Sequence, residues 1–486
     1  MKKLTIYTIL LGSLSVTGCK KYLEQAPDQR ATLNSPEKVS ELLVSAYPRA
    51  NYYTFCEAMS DNVNDNIGAS TTAEVNTNPY MFQDVINTQQ DAPVYYWNNC
   101  YDAIASANEA LATIAKVSNP EKYSAQKGEA LVARAYCHFM LVSLFSRFYD
   151  PATAATDPGI PYVLEPETVV SKKYERKTVA YVYEMVQKDL EEGIPLINNN
   201  AYKIPAYHFT KKAAHAFATR FFLFKQDPDK VIEHAGLAFP NNNILPNMRN
   251  WLTGYYSMSS DAVALAYTKA TEPANLLLGE TTSWYGRRFR SYRYSTGTAI
   301  RDAILGGGVK PNVTGGSTVF RVFTQNQLNW YVRKFQEHFV RTSINASTGV
   351  GYNMVPLFTT EEVLMNRAEA YVQKEDYVNA LKDINLYVSQ RILNYVPATH
   401  NITEAKALAY YKVTDVKEAL TKAVLDLKRM ETMHEGLRWF DILRHKMTVV
   451  HTTADGQTFT SKHGDLQRVL QLPQEAVLAG IELNPR

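Results

Sequence analysis

Apolar positions along most of this chain recur every three or four residues, the spacing that places them on one face of an α-helix. The pattern predicts helices over 94–117 (VYYWNNCYDAIASANEALATIAKV), 125–148, 178–197, 210–224 and 359–373. Thr359 or Thr360 is placed to cap the last of these, with glutamates in its first turn, where the helix dipole favours negative charge. Within 361–385 (EEVLMNRAEAYVQKEDYVNALKDIN), Ala368, Tyr371, Tyr377 and Ala380 fall where a tetratricopeptide helix pair needs small residues for close approach and rings to fill the gaps. The Ala-x-x-aromatic core recurs at Ala133–Tyr136 and Ala218–Phe221, and 227–239 reads as a second helix after the latter, although Lys230 or Val231 stands where alanine is expected. The prediction is a mostly α protein: a degenerate tetratricopeptide-like helical-repeat scaffold, a class that presents surfaces.

Two stretches break this pattern. Residues 59–93 and about 240–355 are rich in Gly, Ser, Thr, Asn and aromatics and read as loops with short strands or short helices. Ordered loops on a rigid scaffold are where binding residues concentrate.

The N-terminus has its own pattern. Lys2 and Lys3 precede a mostly apolar run from Leu4 to Val16, too short to span a bilayer, then Val16-Thr17-Gly18-Cys19. This order resembles the bacterial lipobox, in which the cysteine thiol is lipidated and the signal is cut just before it. The alternative is an ordinary signal peptide with an incidental cysteine. Residues 1–18 are read as a lipoprotein signal peptide and Cys19 as the lipidation site, with further acyl chains needed because one chain anchors only marginally. Besides Cys19 the chain has Cys56, Cys100 and Cys137, an odd number whose wide spacing suits neither a disulfide framework nor a zinc site, and Cys137 sits in an apolar helical run. Among 486 residues the net charge is only +3, with no strongly basic patch, which argues against nucleic acid as a partner. Tyrosines number 32 against 19 Phe and 5 Trp; most are expected in helix packing, but a ring with a polar tip also suits a wet binding surface.

Candidate catalytic and metal motifs are weak. In EGLRWFDILRHK, Glu435, Arg438, Asp441 and Arg444 at three-residue steps form a charge ladder suited to ion pairing. His434-Glu435 lacks the second histidine of a zincin, since Arg438 stands there. His208 and His215 have no acid partner between them. TGGST (314–318) lacks the spacing of a nucleophile elbow, and LGGGVKP (305–311) that of a phosphate loop. SDNVNDN (60–66) lacks the full ligand spacing of a calcium loop and reads as a polar turn. Asn312, Asn345 and Asn401 fit a glycosylation sequon. The reading contains no catalytic residue, no metal ligand and no cofactor.

Sugar recognition asks for flat rings to stack on the C–H face of a pyranose and planar polar groups to read its hydroxyls. Tyr95, Tyr96, Trp97 and Asn98 offer this at the mouth of a helix; Trp284, Tyr285, Arg287 and Tyr292 offer it within SWYGRRFRSYRY, where the arginines, Arg288 included, also suit a carboxylate. Trp97 is equally placed to anchor its helix, and a structural strand-like hairpin is the rival reading for 283–294.

In order along the chain stand the lipobox cysteine, KKYLEQAPDQ, SPEKVSELLVSAY, YWNNCYDAIASANEAL, GEALVARAYCHFMLVSLFSRF, HFTKKAAHAFATRFFL, FTTEEVLMNRAEAY, EGLRWFDILRHK and LQLPQEAVLAGIELNP. Together these resemble the SusD/RagB family of nutrient-binding outer-membrane lipoproteins of Bacteroidetes, from Cys19 to Pro485. The resemblance implies a SusD-like fold in one compact unit, divided at about residue 230 into an N-terminal part (19–230) with helical repeats and a C-terminal part (231–486) carrying the loop-rich ligand region. It implies a lipid anchor in the outer membrane, an extracellular position, and a partner: a TonB-dependent transporter of the SusC/RagA type, to which captured oligosaccharide is delivered. It implies no catalysis. Lys20 and Lys21 follow the cysteine where surface-exported lipoproteins often carry acids. A peptide ligand, as in RagB, is the first alternative; a glycoside hydrolase and a scaffold that binds protein partners through its repeats are the others.

Overall fold

A computed structural model describes residues 33–167, 172–307 and 311–486. Cys19 and the signal peptide lie outside the described residues, as do three residues of LGGGVKP.

The repeat scaffold is built from helices that pack in sequence order. Helix α1 (Pro36–Leu43), α2 (Tyr53–Met59), α3 (Pro93–Ile114), α4 (Ser124–Phe145), α5 (Val179–Leu196), α6 (Lys211–Phe224) and α7 (Pro228–Ala238) form the N-terminal half. Helix α8 (Thr360–Gln373), α9 (Tyr377–Ser389), α10 (Glu404–Tyr411), α11 (Val416–Glu431) and α12 (Leu437–Arg444) form the rest. α3 packs on α4, α4 on α5, α6 on α7, α8 on α9 and α10 on α11, while α8 also contacts α6, α7 and α11 and so joins the two halves. This is the mostly α, tetratricopeptide-like architecture that the spacing predicts.

Small residues set the closest approach. On Gly128 of α4 a Cβ would lie 2.8 Å from the Gly193 carbonyl of α5, and on Gly193 it would lie 3.0 Å from the Gly128 carbonyl, so neither position has room for a side chain. Ala133, Ala218, Ala368 and Ala380 are buried. The rings beside them interlock: Tyr136 stands edge-on to Phe217 at 5.6 Å, and Phe139 to Phe221 at 5.8 Å, an arrangement that adds to the burial term. Cys56, Cys100 and Cys137 are free and buried.

The region between α7 and α8 supplies most of the strands: β1 (Asn275–Thr282), β2 (Val322–Gln325), β3 (Asn329–Val332), β4 (Glu337–Arg341) and β5 (Gly349–Thr359). β1, β5 and β4 make a three-stranded antiparallel sheet in that order, β2 and β3 a hairpin, and β6 (Val449–Thr452) and β7 (Thr458–Ser461) another near the C-terminus. β5 runs directly into α8, whose first turn is capped by the Thr359 hydroxyl accepting from the Glu362 N–H. Arg220 of α6 clamps this junction, donating to the Leu357 carbonyl at 2.7 Å and to both oxygens of Glu362 at 2.5 and 2.6 Å. The sheet is therefore bolted to the repeats at its longest strand. No helix among the described residues is long and apolar enough to cross a membrane.

Candidate functional site

Three cross-strand pairs of the sheet, Glu280 with Met354, Thr281 with Asn353 and Thr282 with Tyr352, show how the site surface arises. Thr281 of β1 and Asn353 of β5 point inward and are fully buried, while Glu280, Thr282, Tyr352 and Met354, on the other face, are exposed or half-buried. Tyr352 stands opposite Thr282 in the ladder. Just past β1 the chain makes one short helical turn, Tyr285–Arg288, which sets the directions of the rings around it.

Two stretches far apart in sequence meet here. The Tyr95 hydroxyl lies 2.8 Å from Thr282 Oγ1, and Thr282 Oγ1 in turn donates to the Arg49 carbonyl at 2.8 Å, which makes Tyr95 the donor of the first bond. Asp91, two residues before α3, accepts from the Ser283 hydroxyl and, at 3.0 Å, from the Trp284 N–H. Asp91 adopts φ +68°, a left-handed conformation that aspartate tolerates better than most residues. The latch is buried, and burial pushes the Asp91 carboxyl up to about 6 in spite of the two hydrogen bonds it receives.

The candidate residues divide on exposure. Trp284 is half-buried, with the Arg288 guanidinium over its ring at 4.2 Å. Tyr95 is half-buried, and Asn98 and Arg287 are exposed, Arg287 reaching Glu337 at 3.4 Å. The other four are interior: Tyr96, Trp97, Tyr285 and Tyr292 are 1, 6, 2 and 2% exposed. Trp97 packs on Tyr101 at 5.0 Å and Phe145 at 4.9 Å. Tyr96 sits among Tyr52 and Phe55. Tyr285 packs on Tyr53, Phe289 and Phe335 and donates to the His434 carbonyl at 2.9 Å. The expectation that these four rings face a ligand is corrected on that ground: consecutive helical residues point about 100° apart, so Tyr95, Tyr96 and Trp97 cannot share one face. The rival reading of 283–294 as a strand-like hairpin does not hold either: the stretch makes the helical turn, followed by a two-residue pairing of Tyr294–Ser295 with Asn64–Asp65.

The ion-rich motifs are occupied by structural partners. Asp61 takes a two-pronged pair from Arg438 at 2.8 and 2.9 Å; burial alone would raise its carboxyl, but these bonds and the Arg438 and Arg429 charges bring it down to about 2. Asp65 is held likewise by Arg293 at 2.6 and 2.8 Å. Glu435 pairs with Lys334 at 2.7 Å, and Arg444 with Asp441 at 2.7 Å and with both oxygens of Glu369. His208 lies 2.7 Å from Glu129, and His215 2.9 Å from His234. Among the described residues, no group of three or more His, Cys, Asp or Glu is placed to hold a metal ion.

Comparison with known proteins gives a single direction. Residues 21–223 match a family model described as "Starch-binding associating with outer membrane", and residues 307–472 match the model of the SusD family. No curated protein matches. The fold is similar to that of a SusD-like carbohydrate binding protein from Bacteroides vulgatus, at 16% identity and TM-score 0.67, covering 92% of this chain and 96% of that one. It is also similar to a SusD superfamily protein from Bacteroides thetaiotaomicron (18%, TM-score 0.62, 93% and 100%) and one from Bacteroides fragilis (19%, 0.61, 92% and 98%). Both matched segments and the helical-repeat fold agree, and the chain belongs to the SusD/RagB family.

Proposed function

We propose that the protein is a non-catalytic, nutrient-binding lipoprotein that captures oligosaccharide on the surface around Trp284 and Tyr95 and delivers it to a SusC-like TonB-dependent transporter. The observation that carries the reading is the Asp91 latch: it fixes a half-exposed tryptophan, backed on one face by Arg288, beside a half-exposed tyrosine. In this reading Trp284 stacks on the C–H face of a pyranose, and the exposed Asn98, Arg287, Arg49 and Glu280 read its hydroxyls. The family's outer-membrane association and the carbohydrate-binding description of one structural neighbour support the ligand class. A lipid on Cys19 would tether the chain to the outer membrane, facing outward.

A peptide ligand is the second reading. It is favoured by the arginines at this surface, Arg49, Arg287 and Arg288, and by the withdrawal of four of six candidate rings into the core.

The test is affinity electrophoresis of purified residues 20–486 through a panel of soluble polysaccharides, with calorimetry against a peptide pool. Retardation by one glycan class that is lost in Trp284→Ala supports the glycan reading. Heat with peptides and no glycan response overturns it. Separately, Cys19→Ala should release the protein from the membrane fraction.

A further inference from the structure

Six buried arginines, Arg134, Arg220, Arg333, Arg367, Arg391 and Arg438, each have a carboxylate within 4.0 Å. Among the described residues, Arg468 is buried without one. Its Nε donates to Ser461 Oγ at 3.0 Å, and its Nη2 to the carbonyls of Met447 and Ser461, but its Nη1 has no hydrogen-bond partner. Burial pulls the Arg468 guanidinium down from its ordinary range, with Asp465 offsetting part of that effect. Arg249 also lacks a carboxylate, but it lies 3.7 Å over the Tyr267 ring and bonds Asn275. A buried cation left with an unsatisfied donor is a costly arrangement that an anion would relieve.

Arg468 lines a cavity of about 110 Å³ together with Arg147, Phe148, Leu443, Leu466 and Val469. This cavity shares Arg147, Leu466 and Val469 with an adjoining space of about 320 Å³, so there is room behind it for more than a single small group. Three acids stand at its wall, Asp150, Asp157 and Asp465. Asp150 pairs with Lys446 at 2.7 Å, Asp157 accepts from Thr153 at 2.6 Å with Arg147 only at 3.8 Å, and Asp465 accepts from the Lys462 N–H at 2.6 Å. The Arg147 side chain is half exposed and its guanidinium is held by nothing closer. His463 also lines the cavity, its imidazole pushed down by burial and then by the Lys446, Arg468 and Arg147 charges, with Asp150 opposing them.

We propose that this cavity, between the 146–157 loop and the 463–469 segment, is a subsite for a carboxylate, gripped by Arg468 Nη1 and Arg147 with an apolar wall behind it. A carboxylate matches the planar guanidinium fork in shape as well as charge. It comes from a uronic acid residue of an acidic glycan or from the C-terminus of a peptide. The subsite is separate from the Trp284 surface and stands whatever that surface binds.

The experiment is saturation-transfer NMR and calorimetry on residues 20–486 with galacturonate and N-acetyl-dialanine, against galactose and N-acetyl-dialanine amide as uncharged controls. Binding of either carboxylate, absent for its uncharged control, weakened on the order of tenfold in Arg147→Gln and unchanged in Trp284→Ala, supports the subsite; which of the two binds identifies the source. Arg147 is a surface residue, so this variant should keep the wild-type melting temperature. Arg468→Gln, which also loses bonds to Met447 and Ser461, is read only if it melts within a few degrees of wild type. No binding by either carboxylate, or binding that survives Arg147→Gln or is lost in Trp284→Ala, overturns the proposal.

Discussion

The repeats and the sheet surface use the same acid–arginine chemistry in opposite ways. In the repeats, Arg134 holds Asp189 through two bonds of 2.7 Å, and Arg367 holds Asp383 through two more of 2.7 Å, all four side chains buried. At the candidate site, Arg49 meets Glu280 at 3.5 Å and Arg287 meets Glu337 at 3.4 Å, with both arginines and Glu280 open to water. A buried pair cannot be broken without stranding a charge, so it fixes geometry. An exposed pair contributes little and exchanges easily for another partner. Charge in the repeats therefore keeps helices in register, while charge at the surface stays free to engage a ligand.

The two tryptophans test this contrast most sharply. Trp97→Ala empties a site in the core and should cost about 3–5 kcal/mol of stability, read as a large fall in melting temperature. Trp284→Ala should change stability by less than about 1 kcal/mol while abolishing glycan retardation. If both variants melt alike, the division into core ring and surface ring is wrong.

Asp189→Ala should be nearly as damaging, about 3–5 kcal/mol, because Arg134 is then buried unpaired; denaturant unfolding measures it. Removing Glu280 at the surface, by contrast, should cost no more than about 1 kcal/mol.

pH gives a smaller and oppositely signed effect. Burial raises the carboxyls of Asp91 and Glu57 to about 6 each, outweighing the hydrogen bonds they accept. Because the folded values lie above the unfolded ones, their contribution is fully present in acid and is lost as pH rises through about 6. It amounts to on the order of 2–3 kcal/mol each. Stability should therefore fall between mildly acidic and neutral pH, and Asp91→Asn with Glu57→Gln should flatten the slope. A double variant whose slope matches wild type would remove these two groups from the account.

The smallest expected effect is on affinity. Asp91→Ala leaves Trp284 in place in sequence but frees its backbone, and should weaken glycan binding several-fold with the ring intact. Calorimetry with whichever glycan retards the protein measures it; unchanged affinity would mean that the turn positions Trp284 without the latch.

The helices were legible because burial of one face imposes a period on the sequence, and the Ala-x-x-aromatic steps marked where helices touch. The cap was legible as Thr359 or Thr360 for the same local reason, and the structure has Thr359. Ring direction at the site was not. Whether Tyr95 or Trp97 looks outward depends on where Phe145 arrives from the next helix, and Tyr285 turns inward because Tyr53, Phe289 and Phe335 make a slot for it. Asp91 was not legible at all: an acid in a polar loop carries no local mark of a partner 193 positions later. Of SDNVNDN, read as a polar turn, only the part about Asp61 and Asn62 turns; Asn64–Asp65 pair with Tyr294–Ser295, and nothing local in the sequence marks the arginine partners of its acids.

The separation spanned by the Asp91 latch also has a consequence for the order in which the protein matures. A chain emerging from its N-terminus displays Tyr95 long before Ser283 and Trp284 exist, and β5, which steadies β1, comes later still. The candidate surface is thus not complete until β5 has been made, so a copy truncated before Thr359 lacks the strand that steadies β1.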